Sequence, residues 1–292
     1  VGVKREVLAL ALAAAAGCGP GAAPAKPQVV ATVYPLWEFS RQVAGSRAEA
    51  VALVPPGVEP HDWEPSPRDV SLVHRATVFV HSGTRLDAWS QKLLAGGQSR
   101  TVVVDASRGL DLIRADGVTD PHVWLDPALA RAQVRAIEAG LAQADPGGRE
   151  IYASNARAYV ARLDELDRAF SAGLKDCARR DLVTSHAAFG YLARRYRLTQ
   201  LPVTGLNPEA EPNPADMAAL VKRARALKVT HIFFEPLVNP RIAETLGREI
   251  GAQPLTLNPV EGLTTSDREA GLGYIELMQA NLANLRTALG CR

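Results

Sequence analysis

Three of the six histidines stand in polar, turn-rich segments that follow apolar runs: His61 in VPPGVEPHDWEPSPRDV, His122 in TDPHVWLDP and His186 in LVTSHAAFGYLARRY. A neutral imidazole is a good ligand for a borderline transition metal, yet a single histidine is more often an ordinary hydrogen-bonded side chain. Spacings of 61 and 64 residues form no local metal motif, so a joint role requires the fold to gather them. No Ser/His/Asp, Cys/His or HExxH arrangement accompanies them, and the nearby glutamates have no general-base spacing. The other histidines read differently. His74 falls inside a helical stretch and His231 begins a strand, so both are structural, whereas His81 follows a strand at its carboxyl end, where it can neighbour a site.

The elements that would position these residues alternate between strand and helix. Val29–Val33, Val51–Val54, Thr77–Val80 and Val102–Asp105 are short β-branched runs, with helical segments between them such as Leu36–Val43. Alternation resumes at Leu182–Thr184, Gln200–Val203, His231–Phe234 and Pro254–Leu257. This predicts an α/β chain with two lobes, each a central parallel sheet flanked by helices. His61 and His186 then fall beyond the carboxyl ends of strands, where open α/β sheets bind ligands. Between the lobes, Pro146 to Cys177 carries Tyr152, Ala156, Tyr159, Leu163, Leu166 and Phe170 at spacings of three or four. That pattern predicts one spine helix of about 28 residues, roughly 42 Å long at 1.5 Å per residue. Residues 28–145 form the first lobe on this reading, 146–177 the linker helix and 178–292 the second lobe.

A short internal repeat supports two similar lobes. Glu64-Pro65-Ser66-Pro67-Arg68-Asp69 and Glu211-Pro212-Asn213-Pro214-Ala215-Asp216 share one form, in which Ser66 or Asn213 caps a helix and proline takes its first position. Glu64 reads as a neighbour of the Ser66 cap.

The amino-terminal residues point to export. Residues 1–17 join a basic start at Lys4 and Arg5 to an apolar run too short to span a bilayer, as a signal peptide does. The AAGC ending resembles a bacterial lipobox, with Ala15 where a larger aliphatic is usual, so Cys18 is the expected lipid attachment point. Residues 18–27 form a tether. Under oxidising conditions the remaining cysteines, Cys177 and Cys291, would staple the end of the spine to the carboxyl terminus; the alternative is two small core residues. Across all 292 residues, a formal charge of +2 gives no polybasic field for nucleic acid. A mean hydropathy of −0.04 leaves no room for several membrane spans.

Beyond these local readings, PHDWEPSPRDV, DPHVWLDP, TSHAAFGYLARRY, GLNPEAEPNP, FFEPLVNPRIAETL and LNPVEGLT occur in this order. From Val29 to Cys291 the chain resembles the solute-binding proteins of bacterial metal-ion ABC importers, in their zinc-uptake branch. The resemblance implies a metal site in the cleft between lobes, with His61 and His122 as ligands from the first and His186 from the second. Three imidazoles suit Zn²⁺, whereas manganese members of the superfamily place a carboxylate where this chain has His186. Relatives often carry an aspartate in the segment that here reads Leu257-Asn258-Pro259. The fourth ligand is therefore open among Glu235, Asn258, Glu59 and a water. Glu235 ranks first, with the equal alternative that it holds the far N–H of a ligand histidine. His81 could serve as a neighbour of the metal, and Trp63 and Trp124 would pack against the ligand loops. The His-rich acidic loop of many zinc members is absent from RADGVTDPH.

The implied function is an extracytoplasmic, lipid-anchored, monomeric receptor in the periplasm or at the cell membrane. It would bind Zn²⁺ as transported cargo and deliver it to an ABC permease without catalysis. The alternatives are a receptor for Mn²⁺ or another transition metal and, less favoured, a three-histidine zinc hydrolase. An adhesin is compatible with the anchor but leaves the histidines unexplained. Affinity should fall as pH drops through about 6, where free imidazoles protonate.

Overall fold

Short β-branched runs give the chain two parallel sheets whose faces are both covered. A computed structural model describes residue 2 and residues 26–95, 100–115, 117–210 and 213–292. Cys18 lies outside these residues, as do the proposed signal peptide except for Gly2, the tether up to Ala25, and Glu211 and Pro212 of the second repeat.

In the first lobe the elements are β1 (Gln28–Ala31), α1 (Tyr34–Ala44), β2 (Glu49–Ala52), α2 (Pro67–Arg75), β3 (Val78–His81), α3 (Ser90–Ala95) and β4 (Val102–Asp105). A small antiparallel hairpin, β5 (Arg114–Ala115) and β6 (Val118–Thr119), follows, and then α4 (Pro127–Ala144). The spine helix α5 covers Arg149–Gly173. The second lobe holds β7 (Asp181–Thr184), α6 (Gly190–Tyr196), β8 (Thr199–Pro202), α7 (Pro214–Ala226), β9 (His231–Phe234), α8 (Arg241–Ile250), β10 (Gln253–Thr256), α9 (Thr265–Glu269) and α10 (Tyr274–Leu289).

Strand order is β2-β1-β3-β4 in one sheet and β10-β9-β7-β8 in the other, and every pairing in both is parallel. Counted from the first strand of each lobe, both orders read 2-1-3-4. The two sheets therefore repeat one topology, with a switch point between β1 and β3 and another between β7 and β9.

Alternation along the strands divides the apolar residues between two layers. Val29, Ala31, Val78 and Val80 face a core that also takes α1, α4, α5 and α10 and extends into the second lobe through Leu182, Phe189 and Phe233. Val30 and Phe79 face the other way and pack with Val73 and Leu93 under α2 and α3. Val183 and Ile232 likewise meet Ala224 and Leu246 under α7 and α8. Each lobe thus has a small outer core, and a larger one shared along the spine holds the lobes together.

The spine has 25 residues, three fewer than its periodicity suggests and about 37 Å long at 1.5 Å per residue. Pro146, Gly147 and Gly148 form a separate 3₁₀ turn before it. At its other end, the Arg180 guanidinium donates to the carbonyls of Leu174 and Lys175, each at 2.7 Å, and closes the helix before Cys177. The Cys177–Cys291 disulfide follows at that point, 114 residues apart in sequence. Ser66 makes a capping box with Asp69 at the start of α2, and Asn213 accepts from the Ala215 amide at the start of α7. No helix among the described residues is long and apolar enough to cross a membrane.

Candidate metal centre

His61 lies on a 3₁₀ turn, Pro60–Asp62, in the segment leaving β2. Proline starts this turn with its backbone dihedral already set, and the Glu59 side chain accepts from the His61 amide at 3.1 Å. His122 precedes a second 3₁₀ turn, Val123–Leu125, between the β5–β6 hairpin and α4. His186 lies two residues beyond β7, at the switch point of the second sheet. The His122 and His186 side chains are fully buried, and that of His61 is one-tenth exposed.

The three rings converge, with centroids 5.1 to 5.7 Å apart. At the centre stands Glu261, with its Oε1 2.5 Å from His122 Nε2, 3.3 Å from His61 Nε2 and 3.7 Å from His186 Nε2. Among the described residues, His61, His122, His186 and Glu261 are the group whose donor atoms could hold a metal, all within 4.8 Å of one another. With ligand bonds of about 2.0–2.1 Å, a tetrahedral Zn²⁺ needs donors roughly 3.3–3.4 Å apart. His122 Nε2 to His186 Nε2, at 3.3 Å, and His61 Nε2 to Glu261 Oε1 already match that edge. The short His122–Glu261 contact is a charge-assisted pair that must open by somewhat under 1 Å.

Carboxylates orient the two buried rings from behind. Asp120 Oδ1 accepts from both the amide and Nδ1 of His122, at 3.0 and 2.7 Å. The two oxygens of Glu235 accept from the amide and Nδ1 of His186, at 3.0 and 2.5 Å. A proton held on Nδ1 leaves the Nε2 lone pair free to face the centre, the arrangement found behind metal-bound histidines.

Charge accumulates here. Burial alone would lower the His122 pKa, but the Glu261 charge and bonds to Asp120 and Glu261 outweigh it and raise it to about 9. His186 is likewise pushed down by burial and up by Glu235, then Glu261, to about 10. Glu261 is opposed by burial but held well below the usual carboxylate range by His122. Glu59 is raised to about 8, first by burial and then by the charge of Glu261. The metal-free cluster therefore keeps protons where a cation would sit.

Asn258, Glu59 and His81 stand outside the donor group, and Glu235 takes the second of its two readings. Glu235 stands behind His186, the equal alternative for it, and the carboxylate that faces the three rings is Glu261, which the sequence did not single out. Asn258 faces the backbone instead: its Oδ1 accepts from the Val260 amide at 2.7 Å, and its amide and carbonyl are bonded by Asn281. Glu59 caps the His61 turn, with a buried Oε2 that has no partner. His81 lies outside the donor group, its ring stacked on Phe79 and its Nδ1 3.4 Å from Ser90 Oγ. His74 bonds the Leu93 carbonyl, and His231 bonds Thr230.

The signal for Glu261 was present in Asn258-Pro259-Val260-Glu261-Gly262, a tight-turn composition. Val260 adopts φ +57°, a region a β-branched residue enters only under constraint, and it is fully buried. The Asn258–Asn281 bonds supply that constraint, and a Cβ on Gly262 would come within 2.9 Å of Leu237. Trp124 does more than pack: its indole donates to the Pro259 carbonyl at 2.8 Å, tying the His122 turn to the Glu261 segment. Trp63 packs edge-on against Trp89 at 5.1 Å. A cavity of about 110 Å³, lined in part by His61, Arg85, Pro121 and Asn207, opens on the exposed side of the cluster.

Residues 29–288 match the model of a family described as the zinc-uptake complex component A, periplasmic. The chain is 37% identical to the high-affinity zinc uptake system protein ZnuA of Bacillus subtilis over 282 residues, 90% of this chain and 88% of that one. It is 36% identical to the zinc-binding lipoprotein AdcA of Streptococcus pneumoniae, again over 90% of this chain but 56% of that longer protein. Its fold superposes on the Zn(II)-bound ZnuA-like domain of S. pneumoniae AdcA with a TM-score of 0.82 at 37% identity, covering 91% of this chain and 99% of the other.

Proposed function

Since the chain belongs to the family of zinc-uptake complex component A, we propose that it is an extracytoplasmic receptor that takes up one Zn²⁺ between its lobes and delivers it to the permease of an ABC importer. His61, His122 and His186 bind the ion through Nε2, and Glu261 completes the tetrahedron. The observation that carries this reading is the direction of the rings: three Nε2 atoms aim at one carboxylate oxygen, and buried Asp120 and Glu235 hold the Nδ1 atoms of two of them. Three nitrogens and one oxygen favour Zn²⁺ over Mn²⁺, which prefers oxygen ligands. Four protein donors leave no open position for an activated water, which argues against the three-histidine hydrolase and for a receptor without catalysis. A lipid on Cys18 would keep the monomer at the membrane beside its permease.

Calorimetric titration of metal-free protein should give one zinc per chain and weak competition by Mn²⁺. Wild-type affinity in His61→Ala, His122→Ala, His186→Ala and Glu261→Ala alike would refute the ligand set.

A further inference from the structure

The residue whose carboxylate orients His122 is bonded from the other lobe. Asp120 closes the base of the β5–β6 hairpin, where its amide donates to the Ile113 carbonyl at 2.9 Å. Onto this base comes Tyr191 of α6, from the second lobe and fully buried. Its hydroxyl accepts from the Ile113 amide at 3.0 Å and donates to the Asp120 carbonyl at 2.9 Å, spanning both strands of the hairpin base. Beside it, Gly190 lies so close that a Cβ would stand 2.7 Å from Asp120 Oδ2 and 3.5 Å from Ile113 Cδ1. One turn further, Arg194 donates to the Asp111 carboxylate and carbonyl at 3.1 and 2.9 Å, with its guanidinium 5.3 Å from the Tyr191 ring centre.

We infer that Gly190 and Tyr191 are positioning residues for the metal site: the second lobe uses α6 to set the Asp120 carboxylate, and through it the ring of His122 in the first lobe. The inference rests on the proposal that His122 binds zinc. Because His186 lies on the segment entering α6, one stretch of chain, 186–194, supplies a donor from its own lobe and orients a donor of the other. Tyr191 does this through two hydrogen bonds, and Gly190 by having no Cβ.

The test compares Gly190→Ala, Tyr191→Phe, Asp120→Ala and His122→Ala by zinc titration of the metal-free protein. Loss of an outer partner of a ligand histidine weakens metal binding by roughly 10–100-fold, so Gly190→Ala and Tyr191→Phe should lose about tenfold. In the Asp120→Ala background neither should cost anything further, because their effect passes through that carboxylate. The spectroscopic readout is the His122 Nδ1 proton of zinc-loaded, ¹⁵N-labelled protein. It should be sharp and slow to exchange in the wild type, and broadened or lost in both variants. Wild-type affinity in Tyr191→Phe, equal losses with and without Asp120, or lost affinity with an intact Nδ1 proton would each overturn the inference. Should Gly190→Ala not fold, Tyr191→Phe decides alone. Unchanged affinity in His122→Ala would instead remove the zinc-ligand proposal beneath it.

Discussion

The two lobes share the strand order 2-1-3-4, yet they use their switch points differently. In the second lobe the crevice between β7 and β9 holds His186 with Glu235 behind it. In the first, the equivalent crevice between β1 and β3 is filled by Asp87, fully buried, which accepts from Thr32 Oγ1 at 2.7 Å and from the Ser82 amide and hydroxyl. A buried carboxylate anchors both crevices, but only one is given an imidazole. The first lobe brings its histidines from the flanks instead, after β2 and beyond β4. Topology creates the crevice, and side chains decide whether it binds a ligand or locks a loop.

This contrast can be broken by experiment. The largest effect belongs to His186→Ala, which removes a buried donor and leaves one oxygen of Glu235 without its ring partner; zinc affinity should fall by more than about 100-fold, beyond the loss of an outer partner. His61→Ala, at the exposed edge, should lose less. Next comes Glu235→Gln, expected to weaken zinc roughly 10–100-fold in the same titration, with a modest change in thermal stability. Asp87→Ala should do the reverse: about 1–3 kcal/mol of stability lost in urea unfolding, from the donors left unpaired, with zinc affinity near wild type. A large loss of zinc binding in Asp87→Ala would erase the distinction between the two crevices.

The most gradual effect is that of pH. In the metal-free protein His122 and His186 are raised to about 9 and 10, above the ordinary histidine value of 6.5. Their pairing with Glu261, Asp120 and Glu235 therefore stabilises the metal-free fold fully below pH about 6.5, and that contribution is lost as pH rises through 9 to 10. Zinc must displace the same protons, so its affinity should climb across the window in which metal-free stability declines. Unfolding scans with a chelator and zinc titrations from pH 6 to 10 would check both slopes. Affinity thus begins to fall at a higher pH than the value near 6 expected from free imidazoles. At neutral pH, calorimetry in buffers of different ionisation enthalpy should detect release of at least the His122 and His186 protons on binding.

Strand positions, helix caps and the spine were legible because they depend on neighbours a few residues away. Val102–Asp105 and His231–Phe234 coincide with β4 and β9, and the Ser66 and Asn213 caps form as their residue types predict. The six spine positions from Tyr152 to Phe170 that recur at spacings of three or four are all buried, although Pro146 and its two glycines turn separately before it. Asp120 lies two residues from His122, but an aspartate at that spacing has no meaning until the ring is buried against it.

By itself the sequence determined the α/β alternation, the two lobes and the three histidines set at turns after apolar runs, because side-chain periodicity and turn chemistry act locally. Only the tertiary structure decided which carboxylate faces the three rings. Glu261 is 200 residues from His61, and it reaches the cluster through a left-handed Val260 braced by Asn258 and Asn281 and through the Trp124 bond to Pro259. Local propensity opposes that conformation for a β-branched residue. Bonds to Asn281 within the second lobe and to Trp124 from the first impose it, and those contacts exist only in the folded chain.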